Sequence, residues 1–319
     1  MAASDARARG VSIEVRPVDD REDEGVAAQV AAELADDPSV VAVVGHKNSG
    51  PSRAAGPVYA AAGLAQLTQC STDNSLSRSG WHTFFRLCAG NERQAAVAAE
   101  FAYARASQAR AYAVHDGTDY GRPLVEAFAS RFEALSGRPV TVLAMRVGQE
   151  DFTEIVETIK AGSADVIDFG ATEIESSKLM KALRSSGVTS LIISSEGGPD
   201  NPLARLAGSA GEGSVHTYAG SAPMATETSR RLVQRCRAEI GESPSYVVEC
   251  YDAVQVIAAA LEGGATTRKE VRDAIAATDM AGIGGRIRFD CNGDRIDAPV
   301  SLWRVASGVM VPLAEGAVR

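Results

Sequence analysis

The hydrophobic pattern alternates between short apolar runs and longer stretches of helical period. Val40-Val41-Ala42-Val43-Val44 is too short for a helix and rich in β-branched residues, which predicts a strand buried on both faces. Gly45-His46-Lys47-Asn48-Ser49-Gly50-Pro51 interrupts it, and the Ala-rich stretch 52–63 predicts a helix stopped by Gly63. Residues 64–68 read as a second strand, followed by the polar loop 69–75. Strand, helix and strand in that order make a βαβ unit with two adjacent parallel strands. Both polar loops then lie beyond strand carboxyl ends, where open α/β sheets bind ligands.

The rest of the chain extends this pattern. Residues 11–16 alternate and read as a strand, and a cluster of acidic residues at 19–24 leads into a helix over 25–34. Residues 81–87 are a short apolar strand or turn, and 91–106 a helix. Strands at 110–115, 140–147, 166–169 and 191–193 then alternate with helices at 123–136, 151–160 and 175–185, which predicts a second doubly wound unit. Helices follow at 229–240, 246–261 and 269–276, with strands at 286–289 and 300–305 around a turn at 290–294. The expected fold class is α/β, with two Rossmann-like, parallel-sheet lobes.

Composition narrows the function. A chain of 319 residues has room for two domains. A net charge of −9 argues against a nucleic-acid surface, and aromatic residues at 5% leave few stacking platforms. The five cysteines have no close-pair spacing and read mainly as buried thiols, while the four histidines are too scattered for a zinc cluster. No apolar run is long enough to span a membrane, so direct membrane insertion is not expected. The first residues lack the apolar centre of a signal peptide, so the chain as written is expected to stay where it is made. Gly45-x4-Gly50 is followed by Pro51-Ser52 rather than Lys-Ser/Thr, which excludes a phosphate loop. The 290–294 segment lacks glycine at the sixth position and glutamate at the twelfth of a calcium loop, and reads as a turn. With no Gly-x-Ser-x-Gly elbow and no evident triad, no enzyme, metal or cofactor is expected.

Val43-Val44-Gly45-His46 with Ser49, Ser71-Thr72, His115-Asp116 with Tyr120-Gly121, Ser195-Glu196-Gly197, and Phe289-Asp290 with Asn292-Gly293-Asp294 recur in a characteristic order and spacing. On these residues the chain resembles the type I periplasmic binding proteins, in the branched-chain amino-acid-binding branch of ABC importers. The resemblance covers essentially the whole chain. It implies two hinged lobes that trap a ligand between them, one from residues 1–88 and 220–299, the other from 89–219 and 300–319. It also implies an extracytoplasmic binding protein that passes a small amino acid or related polar metabolite to a membrane permease. The rival reading is a ligand-sensing module that regulates a partner chain, which a start without a signal peptide favours.

The resemblance assigns roles to particular residues. Ser49, at a helix start, would hold the ligand carboxylate with hydroxyl and backbone N–H groups. Ser71 and Thr72 would offer a carbonyl to the ammonium and N–H and hydroxyl groups to the carboxylate. Tyr120 would close over the ligand, and Glu196 would pair the ammonium. Departures from the family's pattern matter too. Thr172 stands where an aromatic is frequent, and Lys47 and Asn48 replace apolar or small residues, which predicts a polar or acidic ligand side chain over leucine. Tyr251 is a further pocket candidate on a helix. The family also has one more strand and helix before the region matching residues 11–16, so that segment is expected to be an edge-like strand beside an unbridged slot.

Overall fold

The computed structural model describes residues 1–195, 197–199 and 201–313. The chain divides into two units, with helices and strands numbered here in chain order. The first comprises Met1–Gly90, Ala219–Glu239 and Tyr246–Pro299, and the second Asn91–Tyr218, Ile240–Ser245 and the chain from Val300.

The first unit holds the βαβ motif. β1 (Ala42–Val44), β2 (Ala65–Thr68) and β3 (Phe84–Arg86) form a parallel sheet in that order, with Val43 opposite Gln66 and Gln66 opposite Phe84. Between β1 and β2 runs α3 (Ser49–Ala62), and the short α4 (Asn74–Ser77) follows the loop after β2. α3 ends at Gly63 with φ +63°, a left-handed turn that glycine adopts without strain. At Gly56 the helix presses against Trp81, whose ring would lie 2.2 Å from an added Cβ. One face of the sheet packs on α11 (Val247–Glu262) and α12 (Arg268–Ala276) through Leu67, Phe85, Val256 and Ile275. On the other, α2 (Glu24–Asp36) and α3 enclose Leu34, Tyr59 and Leu64. α10 (Glu227–Ile240) and the hairpin of β9 (Asp279–Gly282) and β10 (Gly285–Arg288) complete the unit.

The expected strand at 11–16 is absent. Its alternation is real, but the segment carries no ladder bonds, and Val15 and Val18 are exposed. Among the described residues no strand lies beside β1 on the side away from β2. A chain with no neighbour to exchange hydrogen bonds with stays irregular and hydrated. Before it comes a helix the pattern did not suggest, α1 (Ala2–Ala8). α1 docks on α11 through buried Ala6, an Arg9–Glu262 ion pair of 2.9 Å, and Asp5, which accepts a hydrogen bond from Tyr251 and a second from Arg235 on α10.

The second unit is a seven-stranded sheet in the order β12-β11-β8-β7-β6-β4-β5. β4 (Ala111–His115), β5 (Thr141–Ala144), β6 (Val166–Gly170), β7 (Leu191–Ser194) and β8 (Val215–Tyr218) are mutually parallel. β11 (Ser301–Ala306) and β12 (Val309–Pro312) add on antiparallel. α5 (Asn91–Arg105) and α6 (Gly121–Ser136) cover one face, with Phe101, Phe128 and Phe132 buried against it. α7 (Thr153–Ala161), α8 (Glu173–Ser185) and α9 (Leu203–Ala207) cover the other. The sequence pattern did not suggest β8, because His216 and Thr217 break its apolar run. Both are buried, and His216 is hydrogen-bonded to Ser214 at 2.7 Å.

Buried acids tie the first unit's later segments together. Glu249 on α11 is fully buried and accepts a hydrogen bond from the Ser221 N–H at 2.7 Å, while Asp252 accepts from Ile283 and Gly284. Burial raises the Glu249 carboxyl to about 7, with smaller opposing contributions from backbone hydrogen bonds and Arg295. An unfolded glutamate ionises near pH 4.5, whereas the folded one stays protonated up to about 7. Stability therefore falls as pH rises through that window, by up to roughly 3 kcal/mol. Glu249→Gln keeps an acceptor for Ser221 and removes the ionisation. Urea denaturation at pH 4.5 and 7.5 should show the wild type losing stability relative to the variant, and parallel pH profiles would refute a buried protonated Glu249.

Candidate functional site

In the first unit two loops meet at the carboxyl end of the sheet. The 45–48 loop carries β1 into α3, and the 69–73 loop follows β2. Hydroxyl groups join them. Thr68 Oγ1 donates to the His46 carbonyl at 2.7 Å and accepts from the N–H groups of Cys70 and Ser71. Ser71 Oγ lies 3.0 Å from the same carbonyl and 2.7 Å from Ser52 Oγ, which accepts from Gln66. Asp73 N–H donates to Ser49 Oγ at 3.3 Å, linking the loop to the first residue of α3.

The first loop is fixed from beneath. His46 is buried, with Nδ1 2.6 Å from Asp20 and Nε2 3.1 Å from the Tyr59 hydroxyl. One arrangement satisfies all three: Nδ1–H donates to Asp20, and Nε2 accepts from Tyr59. No local pattern signals this, since Asp20 reads as a helix-start acid and His46 as one scattered histidine. Arg86, also buried, reaches the second loop from β3. A charge inside the run Phe84-Phe85-Arg86-Leu87 was the available sign.

Ser49, Ser71 and Thr72 thus come together, with different freedom. The Ser71 hydroxyl is engaged inside the protein, and its carbonyl accepts from Arg86 at 3.3 Å. The Thr72 hydroxyl is buried and has no partner, as does Gln69 Oε1. Beside them α3 begins, and the first N–H groups of a helix lack intrahelical acceptors and carry the positive end of its dipole. Of the two unpartnered atoms, the Thr72 hydroxyl can donate, and a buried donor without a partner next to a helix start suits a carboxylate.

The other first-unit candidates are arranged less directly. Asn48 is the half-buried N-cap of α3, and its side chain makes no capping bond. Lys47 is exposed, 3.7 Å from Glu22 at the surface. The structure groups Tyr251 with α1 and not with the two loops: its hydroxyl donates to Asp5 at 2.9 Å, and its ring packs against the Leu232, Val233 and Val248 cluster that Met1 also borders. Two hollows of about 530 Å³ each include none of the candidate residues.

In the second unit the strand order reverses between β4 and β6, and ligands of doubly wound sheets bind at such a switch point. The loops leaving these two strands carry Tyr120 and Thr172. Gly121 and Gly170 let α6 sit directly on the end of β6, since a Cβ at either would lie within 2.4 Å of the other's carbonyl oxygen. Tyr120 is half-buried at the N-cap of α6, and its carbonyl accepts from Asn91 at 3.2 Å. Thr172 stands at the N-cap position of α8 without a side-chain capping bond and donates its hydroxyl to Glu175. Asp116 is buried, accepts from Thr118, and leaves Oδ2 without a partner. Burial, with a smaller effect from Glu175, raises its carboxyl above the usual range. Glu196 lies outside the described residues.

Among the described residues no group of three His, Cys, Asp or Glu side chains could hold a metal ion, and no helix is long and apolar enough to cross a membrane.

The chain is similar to known proteins over most of its length. An amino acid binding protein of Pseudomonas aeruginosa is 28% identical over 288 residues, 89% of this chain and 77% of that protein. Leu/Ile/Val-binding protein homolog 1 of Brucella melitensis is 28% identical over 287 residues, with the same coverage. The crystal structure of a leucine binding protein, LivK, from Thermotoga maritima superposes with a TM-score of 0.88 at 26% identity, covering 98% of this chain and 91% of that one. The sequence model of the family described as periplasmic binding protein matches residues 1–309, and the chain belongs to that family.

Proposed function

We propose that this protein is an extracytoplasmic solute-binding protein that takes up a free α-amino acid with a branched aliphatic side chain and hands it to the permease of an ABC importer. The observation that carries the reading is the buried, unpartnered Thr72 hydroxyl beside the start of α3, a ready site for the ligand carboxylate. In this assignment Thr72 and the backbone N–H groups around Ser49 hold the carboxylate, while Ser71 shapes the loop. Tyr120 and Thr172, in the loops after β4 and β6, are proposed ligand contacts, and Glu196 pairs the ammonium. The role requires no bond to be made or broken, and the relatives are named as binding proteins. They lend no support to a regulatory module.

The aliphatic preference revises the expectation of a polar side chain. Lys47 is at the surface beside Glu22, and Thr172 has given its hydroxyl to Glu175. Of the three polar departures only Asn48 keeps uncommitted polarity near the first loop.

Calorimetry with leucine, valine, glutamine and glutamate tests the reading. Leucine and valine should bind, with the two polar ligands roughly 5- to 150-fold weaker, because an unpaired polar group in an apolar site costs about 1–3 kcal/mol. Binding of glutamine or glutamate without leucine would overturn the aliphatic assignment. Thr72→Val, which preserves shape and deletes the hydroxyl, should weaken leucine by about 1–3 kcal/mol. Glu196→Gln should cost about 2–5 kcal/mol by leaving a buried ammonium without a counter-charge, and an unchanged affinity would remove Glu196 from the site.

A further inference from the structure

Arg86 ends β3 with its side chain 1% exposed, and each of its five N–H groups has an acceptor. Nε and Nη2 donate to Asp294 Oδ1 at 3.0 and 2.6 Å, and Nη2 also to Ser77 Oγ at 3.4 Å. Nη1 donates to two main-chain carbonyls, Ser71 at 3.3 Å and Asp73 at 2.9 Å. Those carbonyls flank Thr72. The Ser71 carbonyl shares a peptide plane with the Thr72 N–H, and the Asp73 carbonyl lies one peptide beyond Thr72, so one rigid group holds the loop on both sides of that residue. We propose that Arg86 is a positioning residue for amino-acid binding, holding the 71–73 loop in its carboxylate-receiving conformation from behind. This rests on the assignment of Thr72 to the ligand made above.

The planar fork matters as much as the charge. Lysine offers three donors at one point and cannot span Ser71 and Asp73 while also reaching Asp294. Arg86→Lys should therefore keep the ion pair and release the loop. The loop meets only the part common to all α-amino acids, so leucine and valine should weaken by the same factor.

Arg268 supplies the control. It also bonds main-chain carbonyls of this unit, those of Leu34, Ala35, Asp37 and Val40, but none in the 45–48 or 69–73 loops. The experiment measures leucine and valine affinity by calorimetry at 25 °C, melting temperature, and amide exchange by peptide, for the wild type, Arg86→Lys and Arg268→Lys. Arg86→Lys is expected to bind both amino acids at least tenfold more weakly at an unchanged leucine-to-valine ratio, with faster exchange confined to residues 70–75. Arg268→Lys is expected to melt lower and bind as the wild type does. Folded Arg86→Lys that binds leucine within twofold of the wild type overturns the proposal, as does a matching loss in Arg268→Lys. Should Arg86→Lys not fold, Asp294→Ala removes the group that orients the guanidinium; an at least threefold loss of affinity supports the proposal, and affinity within twofold overturns it. A wild type that binds none of the amino acids defeats the functional reading itself, whereas a binding wild type with an indifferent Arg86 defeats only this assignment.

Discussion

A guanidinium shut away from water needs five acceptors, and the first unit is arranged so that Arg86 finds them. Its backbone is engaged as well. The Arg86 N–H donates to Gly293 and its carbonyl accepts from Arg295, so the 293–295 segment lies along the outer edge of β3 at that residue. This approach depends on Gly293, where a Cβ would lie 2.0 Å from the Phe84 carbonyl oxygen and φ is +81°. Asp290 Oδ1 holds the turn by accepting from Asn292 and Asp294. Turn, strand end and 71–73 loop are therefore one object. Removing any member strands buried polar groups on the others, at about 1–3 kcal/mol each.

The second unit reaches the same end by a different route. Its switch point is shaped by two glycines back to back, Gly121 and Gly170, which bring the start of α6 onto the end of β6. Side-chain oxygens finish the loops: Asp116 turns the chain at Thr118, and Thr118 Oγ1 accepts from the Gly121 N–H. In one unit a charge network positions the loop, in the other a close backbone approach does. Both place short polar loops at strand carboxyl ends, as the topology of parallel sheets favours.

How much of this the sequence carried depended on the kind of signal. The βαβ motif was legible because two apolar runs and Gly63 are local features. Ser49, Ser71 and Thr72 were legible as a group because a parallel pair of strands brings their two loops together. The 11–16 segment was misread because alternation reports which side chains could face a core, not whether a neighbouring strand exists. β8 was missed because burial of His216 depends on Ser214 and Ser195, partners that hydropathy does not see. Tyr251 was placed near the ligand because helical position leaves open which neighbour a face meets, and α1 takes that face. Arg86, His46 and Asp20 act through contacts distant in sequence, and no local pattern encodes those.

The polarity of a site is likewise not the polarity of its residues. Threonine in place of an aromatic looks like an invitation to a polar ligand, but a hydroxyl committed to a buried carboxylate has nothing left to donate. Thr172 has given its single proton to Glu175, and Glu175 in turn accepts from the Gly148 N–H at 3.3 Å. The hydroxyl oxygen can still accept, but it has no proton left to give. Ser71 repeats the lesson, a buried serine whose hydroxyl serves His46 and Ser52. Thr72 is the contrasting case, a buried hydroxyl in the same loop with no partner. Desolvating such a group without a hydrogen bond is costly, and that cost is what the proposed ligand carboxylate would offset.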